Sequence, residues 1–320
     1  MGLLLVTGQS DAKPPRRWVE EPNNFWRNVI DPNADRVRMV LANARAALLQ
    51  PDSIVVTAES NWAADQSTRF YQDAFNLLRY ARTLAPVNVE VLGLFARAAD
   101  ELGKTREALE ALNACVRILG PEKAGPEITG RLGAIYLRMG DRDAAIRWLR
   151  EAQGPIATSS TWLVHLANAL AARGAVTEAI DTLHNALGSA LYGPDTSLVA
   201  FSLAVIYDRD EQRAAAFEVL DHMKTTLQEQ YMQQVWNDLH KLRFAPAEDA
   251  NYYEALLYES LGHYAEARAQ WALYAASGDT PWRLRALDHI ALIDAERKAT
   301  AAKPAIRPTR PLLVPKPSVP

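Results

Sequence analysis

The sequence predicts an all-α protein, and three observations support this prediction. Alanine and leucine, which are strong helix formers, are prominent in a chain whose hydrophobic content is 49%. Alternating segments rich in valine, isoleucine and threonine are scarce, and the only candidate for a strand is residues 53–58. A helix-turn-helix pattern recurs through the middle of the chain. With 320 residues, the chain is long enough for two ordinary domains or one elongated array.

Residues 1–32 are predicted to form a leader and an arm ahead of the helices. Leu3 to Val6 are apolar and are followed by small residues, as at the end of a secretory signal, but the apolar stretch is short and no basic residue precedes it. The leader is therefore either a signal peptide that begins upstream or a disordered leader. These alternatives leave the compartment open between an exported, for example periplasmic, location and the cytoplasm.

The arm is distinguished from the leader by its prolines and aromatic residues. Residues 13–32 contain four prolines together with Trp18, Phe25 and Trp26. This composition predicts an arm that docks its aromatic side chains onto the helical array. The array itself is expected to begin with a helix over residues 33–50, which a proline follows directly.

A helix-turn-helix pattern recurs between about residue 55 and residue 280. In each complete copy, a small residue is followed seven positions later by a glycine, and an alanine lies five positions beyond that glycine. The four complete copies contain Ala96/Gly103/Ala108, Gly133/Gly140/Ala145, Ala167/Gly174/Ala179 and Ala255/Gly262/Ala267. A fifth copy keeps Ala204 and Ala216 but has Glu211 at the glycine position, and a sixth, weaker copy contains Ala74 and Leu78.

The spacing of the second alanine defines the repeat. It is 34 or 37 residues in each step from Ala74 to Ala216, and 51 residues from Ala216 to Ala267. This pattern resembles the tetratricopeptide-repeat family, whose unit is a 34-residue helix-turn-helix. The resemblance implies an α-solenoid of about six stacked antiparallel helix pairs over residues 33–299. Small residues would let the two helices of a pair approach closely, and each pair would bury an apolar face against its neighbour.

The recurring glycines are predicted to end the first helix of each pair in the left-handed conformation. Gly103, Lys104 and Thr105 also match the end of a phosphate-binding P-loop, but the preceding segment has helical spacing and Ala98 replaces the required glycine. The triplet is therefore predicted to be a turn, with Lys104 pointing into solvent. Cys115 falls at a small, buried position of the second helix.

Two segments depart from the regular repeat. The segment 224–247 lengthens one repeat interval, so either a second helix is unusually long or an extra helix is inserted. After the last repeat, residues 279–281 carry a strong helix-start signal and predict a capping helix. The side chains expected to share the buried face of this helix are Trp282, Leu287, Ile290 and Ile293.

The last residues differ in composition from the array. Residues 300–320 contain six prolines and four cationic residues with no acidic residue, and they predict an extended, disordered tail. A tethering role for this tail is the alternative interpretation.

Charge and motifs exclude several function classes. The chain has 35 basic and 38 acidic residues, which disfavours a general nucleic-acid binder, and no run is long enough for a transmembrane helix. No short signature of a metalloprotease, a serine hydrolase, a CxxC site or a dinucleotide site is present. The acidic residues in segments 140–143 and 208–211 are interpreted as solvated turn charges. We therefore expect no catalytic residue, no cofactor and no metal.

The resemblance implies a binding surface instead. First helices in this family line a concave groove that binds an extended peptide or a partner helix. The implied groove residues are Arg97, Arg138, Val164, Asn168, Phe201, Val205, Tyr252 and Leu256. Because lysine is absent from this set, carboxylate recognition is not favoured. The apolar character from Val164 to Leu256 favours a hydrophobic segment, a helix or the chain's own arm.

The sequence therefore predicts a non-enzymatic scaffold or adaptor that binds a protein or peptide partner, with a cell-envelope assembly as one setting. The alternatives are a structural component that self-associates into a homo-oligomer and an accessory subunit of an enzyme or a secretion complex. No nucleic acid and no integral membrane insertion are expected.

Overall fold

The structure, a computed structural model, describes residues 31–51, 61–152, 156–188, 196–227, 231–239, 242–278 and 280–302. These ranges contain fourteen α-helices and no strand, so the all-α prediction is confirmed. The helices are α1 (Ala34–Leu49), α2 (Asn61–Leu84), α3 (Val89–Glu101), α4 (Thr105–Leu119), α5 (Pro126–Arg138), α6 (Arg142–Glu151), α7 (Ile156–Ala172), α8 (Val176–Leu187), α9 (Ser197–Arg209), α10 (Arg213–Leu227), α11 (Tyr231–Leu239), α12 (Asp249–Ser260), α13 (Tyr264–Ala276) and α14 (Arg283–Ala302). The leader, most of the arm, the candidate strand at 53–58 and most of the tail lie outside the described residues.

The helices fall into two compact units, and the division lies within α4, between Ala114 and Cys115. In the first unit, α2 packs against both α1 and α3. In the second unit, α5 pairs with α6, α7 with α8, α9 with α10, and α12 with α13. Successive pairs are in contact, because α7 packs on α5 and α6 while α9 packs on α7 and α8. The helix pairs of the α-solenoid class are therefore present as predicted.

Small residues bring the helices close where they cross. Gly133 lies on α5, and a Cβ atom added there would lie 2.4 Å from Cγ of Leu149 on α6. Ala145, the matching small residue of α6, is fully buried. Gly130 serves the next pair in the same way, since an added Cβ atom would lie 2.3 Å from the ring of Trp162 on α7. Any larger residue at these positions would force the helices apart.

The turns between paired helices share one hydrogen-bonding pattern. The predicted left-handed glycines are confirmed, for example by φ angles of +70° at Gly103 and +83° at Gly140. Glu211 adopts the same conformation with a φ of 60°, although it has a side chain. In each turn, the next residue donates its backbone N–H to a carbonyl five positions back, as Gln212 does to Tyr207 at 2.9 Å. The chain thus keeps the turn where the glycine is missing.

The turn at Gly103 corrects one detail of the sequence analysis. Lys104 does not simply point into solvent, because its Nζ atom lies 4.7 Å from the ring centroid of Phe75 on α2.

Cys115 is fully buried, as predicted. Burial raises the pKa of its thiol to about 11, so the thiol is not activated as a nucleophile.

The lengthened repeat interval contains the helix α11. In the described residues, α10 ends at Leu227 and α11 spans Tyr231–Leu239, and residues 228–230 between them lie outside the described part. α11 packs against α9, α10 and α12, and it buries Val235 and Leu239. Its Asp238 accepts a hydrogen bond of 2.7 Å from the hydroxyl of Ser197 on α9. Because residues 228–230 are not described, the choice between a long second helix and an inserted helix stays a prediction.

The last helix, α14, packs against α13 with a face that differs from the predicted one at Leu287. Ile293 is buried and Ile290 is half-buried, as expected, but Leu287 is 41% exposed. Ala286 and His289 are buried in its place. The prediction was wrong at Leu287 because the inward face was chosen by hydrophobicity, whereas ionic contacts of the histidine hold this helix.

Candidate interaction site on the first helices

The predicted groove residues are distributed over the two units, with Arg97 in the first and the other seven in the second. Arg97 and Arg138 are half-buried, and the Arg97 guanidinium donates a 3.5 Å hydrogen bond to the Leu48 carbonyl. The other six are buried against neighbouring helices, and they are Val164, Asn168, Phe201, Val205, Tyr252 and Leu256. The use of this face by a partner stays a prediction. In this conformation, those six side chains are not presented to water.

Asp208, an acidic residue that was interpreted as a solvated turn charge, is buried instead, together with its neighbour Arg209. The two residues lie at the end of α9, and their side chains are only 2% and 1% exposed. The interpretation was wrong for Asp208, because residues of α12 and α14 bind its carboxylate, and Asn168 of α7 binds Arg209 beside it. It holds for Asp210 and Glu211, which follow them and are exposed.

Arg209 is enclosed by polar and aromatic side chains from three other elements. Its Nη1 donates a hydrogen bond of 2.9 Å to Oδ1 of Asn168 on α7, and its Nη2 lies 3.1 Å from Oδ1 of Asp249 on α12. The hydroxyl of Tyr253 donates to the same Asn168 oxygen at 3.1 Å. The ring of Trp282, just before α14, lies 3.8 Å from the guanidinium carbon, in cation–π geometry.

Asp208 accepts hydrogen bonds from α12 and α14. The Tyr252 hydroxyl donates to its Oδ2 at 2.7 Å, and Nη2 of Arg285 donates to its Oδ1 at 2.5 Å. Nε2 of His289 lies 3.0 Å from Oδ2. Burial alone would raise the pKa of Asp208, but the hydrogen bonds and charges of His289 and Arg285 outweigh burial and hold this pKa well below its usual range.

His289 bridges two carboxylates from different helices. Its Nδ1 lies 2.8 Å from Oε2 of Glu259, while its Nε2 contacts Asp208. Its ring stacks on Trp271 with centroids 4.3 Å apart, and the Trp271 indole N–H donates to the same Glu259 oxygen at 2.8 Å. Burial alone would lower the pKa of His289, but hydrogen bonds to Asp208 and Glu259 outweigh it and raise the pKa to about 9. The imidazole is therefore protonated at neutral pH and donates from both nitrogens.

These residues form one cluster, which we name the buried polar cluster. It comprises Asn168, Asp208, Arg209, Asp249, Tyr252, Tyr253, Glu259, Arg285 and His289. The cluster pairs three carboxylate side chains with three cationic side chains. Its acids and bases are bound to one another, which suits the locking of α7, α9, α12 and α14 in one arrangement. That arrangement positions the predicted groove residues Asn168 and Tyr252.

The sequence of one helix pair matches a known repeat. Residues 127–154, which span α5 and α6, match the sequence model described as "Tetratricopeptide repeat". This match coincides with the crossing of Gly133 and Ala145, and the same small-residue and turn pattern recurs in the other pairs. Residues 127–154 therefore carry a tetratricopeptide repeat. The resemblance stated from the sequence is thereby confirmed.

Solved structures with similarity to this chain share little sequence with it. The crystal structure of PilW, described as a widely conserved type IV pilus biogenesis factor, is 16% identical with a TM-score of 0.44, and the match covers 76% of this chain and 98% of PilW. The P58(IPK) tetratricopeptide domain is 15% identical with a TM-score of 0.32, covering 85% and 68% of the two chains. Yeast Tom70 is 11% identical with a TM-score of 0.31, covering 89% and 77%. No curated protein matches the chain.

Two further classes of site are not found in the described part of the repeat array. Its histidine, cysteine, aspartate and glutamate side chains form no group of three or more that could hold a metal ion. None of its helices has both the length and the apolar composition that a membrane span requires.

Proposed function

We propose that the chain is a non-enzymatic scaffold that binds a peptide or a partner helix on the face formed by its first helices, with a cell-envelope assembly as one setting. Tetratricopeptide repeats are in general protein-interaction modules, and interaction is the broad function that the family supports. Beyond this broad function, we propose which face of the protein binds, that the partner is a peptide or a helix, and that the setting is a cell-envelope assembly.

One observation carries the proposal: the first helices of the second unit are bound to one another before any partner arrives. Arg209 of α9 contacts Asn168 of α7 and Asp249 of α12. Asp208 of α9 contacts Tyr252 of α12. A surface that is already ordered loses less conformational entropy on binding, so a stack of locked helices suits recognition of another chain.

The accessible part of this face lies on α5. Leu137 and Arg138, near the C-terminal end of α5, are half-buried, and Met139 beyond them is exposed. An apolar side chain beside an arginine suits a segment that combines hydrophobic and acidic residues. Within the second unit, we therefore assign the first contact with a partner to α5.

A crosslinking experiment tests this assignment. A photo-crosslinking amino acid replaces Arg138 on the first helix of the pair, in the full chain and in cells that contain its natural partners. The matched control carries it in place of Arg147, an exposed arginine on the second helix of the same pair. We expect a protein partner to be captured at position 138 at least fivefold more than at position 147, with mass spectrometry as the readout.

The outcome separates the candidate functions. Equal capture at the two positions, or capture at position 147 alone, contradicts the first-helix face. Capture of a second copy of the chain favours the alternative, in which the protein is a self-associating structural component.

The exposed surface of helix α14 favours that alternative. Helix α14 exposes three leucines, Leu284, Leu287 and Leu292, and Leu284 is 77% exposed. Contiguous exposed apolar side chains mark interaction surfaces, and Leu284 and Leu287 lie three residues apart on one side of the helix. Light scattering of wild type and Leu284→Glu measures this directly: a mass that falls to that of one chain only in the variant supports self-association through α14.

A further inference from the structure

The first helix pair has an apolar outer face. On α1, Met39, Ala42, Ala46 and Leu49 are all exposed, and their spacing of three and four residues places them along one side of the helix. Met39 and Leu49 are 61% and 62% exposed. Within the described residues, no helix precedes α1 to cover this side.

Beside this row of side chains, α1 and α2 form an open groove of about 810 Å³. Its lining surface in the described residues is mainly apolar, with polar groups at four positions, one of which is the hydroxyl of Tyr80. The lining residues are Ala46, Ala47, Gln50, Phe70, Asp73, Asn76, Leu77 and Tyr80. Both helices belong to the first unit, so the groove is a feature of that unit alone. A groove of this volume and character accepts a few aromatic side chains.

We propose that residues 18–30 of the same chain occupy this groove and cap the first helix pair. This segment directly precedes α1 and contains Trp18, Phe25 and Trp26. Aromatic side chains bury the largest apolar area per residue, and Tyr80 and Phe70 of the groove offer rings for them to contact.

The length of the segment fits this path. From residue 33 to Ala46, helix α1 rises by roughly 20 Å at 1.5 Å per residue. An extended chain covers about 3.3 Å per residue, so roughly six residues are enough to return along α1 from its start. Trp26 and Phe25 lie seven and eight residues before residue 33, which is slightly more than this length requires. They can therefore reach Ala46 and Ala47 if the segment runs antiparallel to α1.

The logic of stacked repeats also favours this occupant over the tail. Inner pairs of such an array are covered on both sides, whereas a terminal pair needs a cap with a polar outer surface. At the last pair, α14 supplies that cover, since Ala286 and Ile293 are buried. The tail, residues 303–320, contains no aromatic residue, whereas the segment that precedes α1 contains three.

Limited trypsin digestion of the full chain tests the proposal. If the segment is docked, cleavage after Arg27 is slow in wild type. Tyr80→Ser removes a ring from the groove, and we expect it to accelerate this cleavage at least tenfold. The matched control is Tyr264→Ser on α13, because Tyr264 is 43% exposed and Tyr80 is 46% exposed. The proposal is overturned if Arg27 is cleaved equally fast in wild type and in both variants.

A disulfide test covers the case in which Tyr80→Ser loses its fold. Trp26→Cys combined with Ala47→Cys should form an intramolecular disulfide under mild oxidation, while Trp26→Cys with Phe217→Cys, on the exposed surface of α10, should form at most a tenth as much. Native Cys115 is buried and its pKa is raised to about 11, so it does not compete. Equal yields in the two pairs, or a disulfide that joins two chains, would overturn the proposal.

Discussion

The α5–α6 crossing and the buried polar cluster hold their helices together in opposite ways. At the crossing, Gly133 and Ala145 remove side-chain volume so that two backbones meet, and Leu149 fills the space beside them. In the cluster, charged groups such as Arg209 and Asp249 are taken out of water and paired. The packing at the crossing depends on shape alone, whereas the packing in the cluster depends on charge. The stability of the two regions should therefore respond differently to substitution and to pH.

The largest expected effect comes from breaking a charge pair in the cluster. Arg209→Met leaves Asp249 buried without its counter-charge, and we expect the free energy of unfolding to fall by about 3–5 kcal/mol. Urea unfolding of the full chain measures this. The control is Arg150→Met, since Arg150 binds Glu178 at the exposed surface, where an ion pair contributes about 0–1 kcal/mol. Similar losses in the two variants would contradict an ionic role for the cluster.

The second effect is a dependence on pH that only the cluster should show. The pKa of His289 is raised to about 9 in the folded chain, so the folded state holds a proton that the unfolded state releases near pH 6.5. Stability should be fully present below pH 6.5 and should decline by up to about 3 kcal/mol as pH rises to 9.

Urea unfolding at pH 6, 7.5 and 9 measures the decline. His289→Gln should flatten the slope, while His222→Gln, at an exposed position of α10, should keep it. If the free energy of unfolding depends on pH identically in His289→Gln and wild type, then a group other than His289 titrates between the folded and unfolded states.

The third effect breaks the apolar crossing instead. Ala145→Trp places a large ring where α5 and α6 meet, and we expect a loss of about 1–3 kcal/mol or more, seen as a lower melting temperature. This loss should be the same at pH 6 and pH 9, because no titrating group takes part. Ala214→Trp, at an exposed position of α10, is the control and should melt like wild type. An unchanged melting curve in Ala145→Trp would contradict the register of the repeats.

The smallest effect concerns a turn rather than a helix contact. Glu211 adopts a left-handed conformation, which costs a residue with a side chain about 1–2 kcal/mol, whereas glycine costs about 0.5–1 kcal/mol in lost chain entropy. Glu211→Gly should therefore stabilise the chain by about 0.5–1 kcal/mol, and Gly140→Ala should destabilise it. Thermal unfolding of the two variants checks the signs, and a lower melting temperature in Glu211→Gly would refute the argument.

The same comparison explains what could be predicted from the sequence. The crossing of Gly133 and Ala145 was predictable because both residues belong to one repeat and the spacing recurs in other copies. The cluster was not, because Asp208 and His289 are 81 residues apart and no periodic pattern joins them. The signal that was available was a histidine at the inward position of α14, beside Ala286. Its hydrophobic neighbours Leu287 and Ile290 outweighed it in the interpretation.

The two carboxylate contacts of His289 constrain how the array can evolve. Helix pairs joined only by alanine and glycine contacts can be duplicated or exchanged, since any neighbour with the same contour will fit. Helix α14 cannot be exchanged in this way, because it must bring an imidazole and a guanidinium to two carboxylates on other helices. The segment from α9 to α14 should therefore be inherited as a block, with growth of the array confined to the pairs before it.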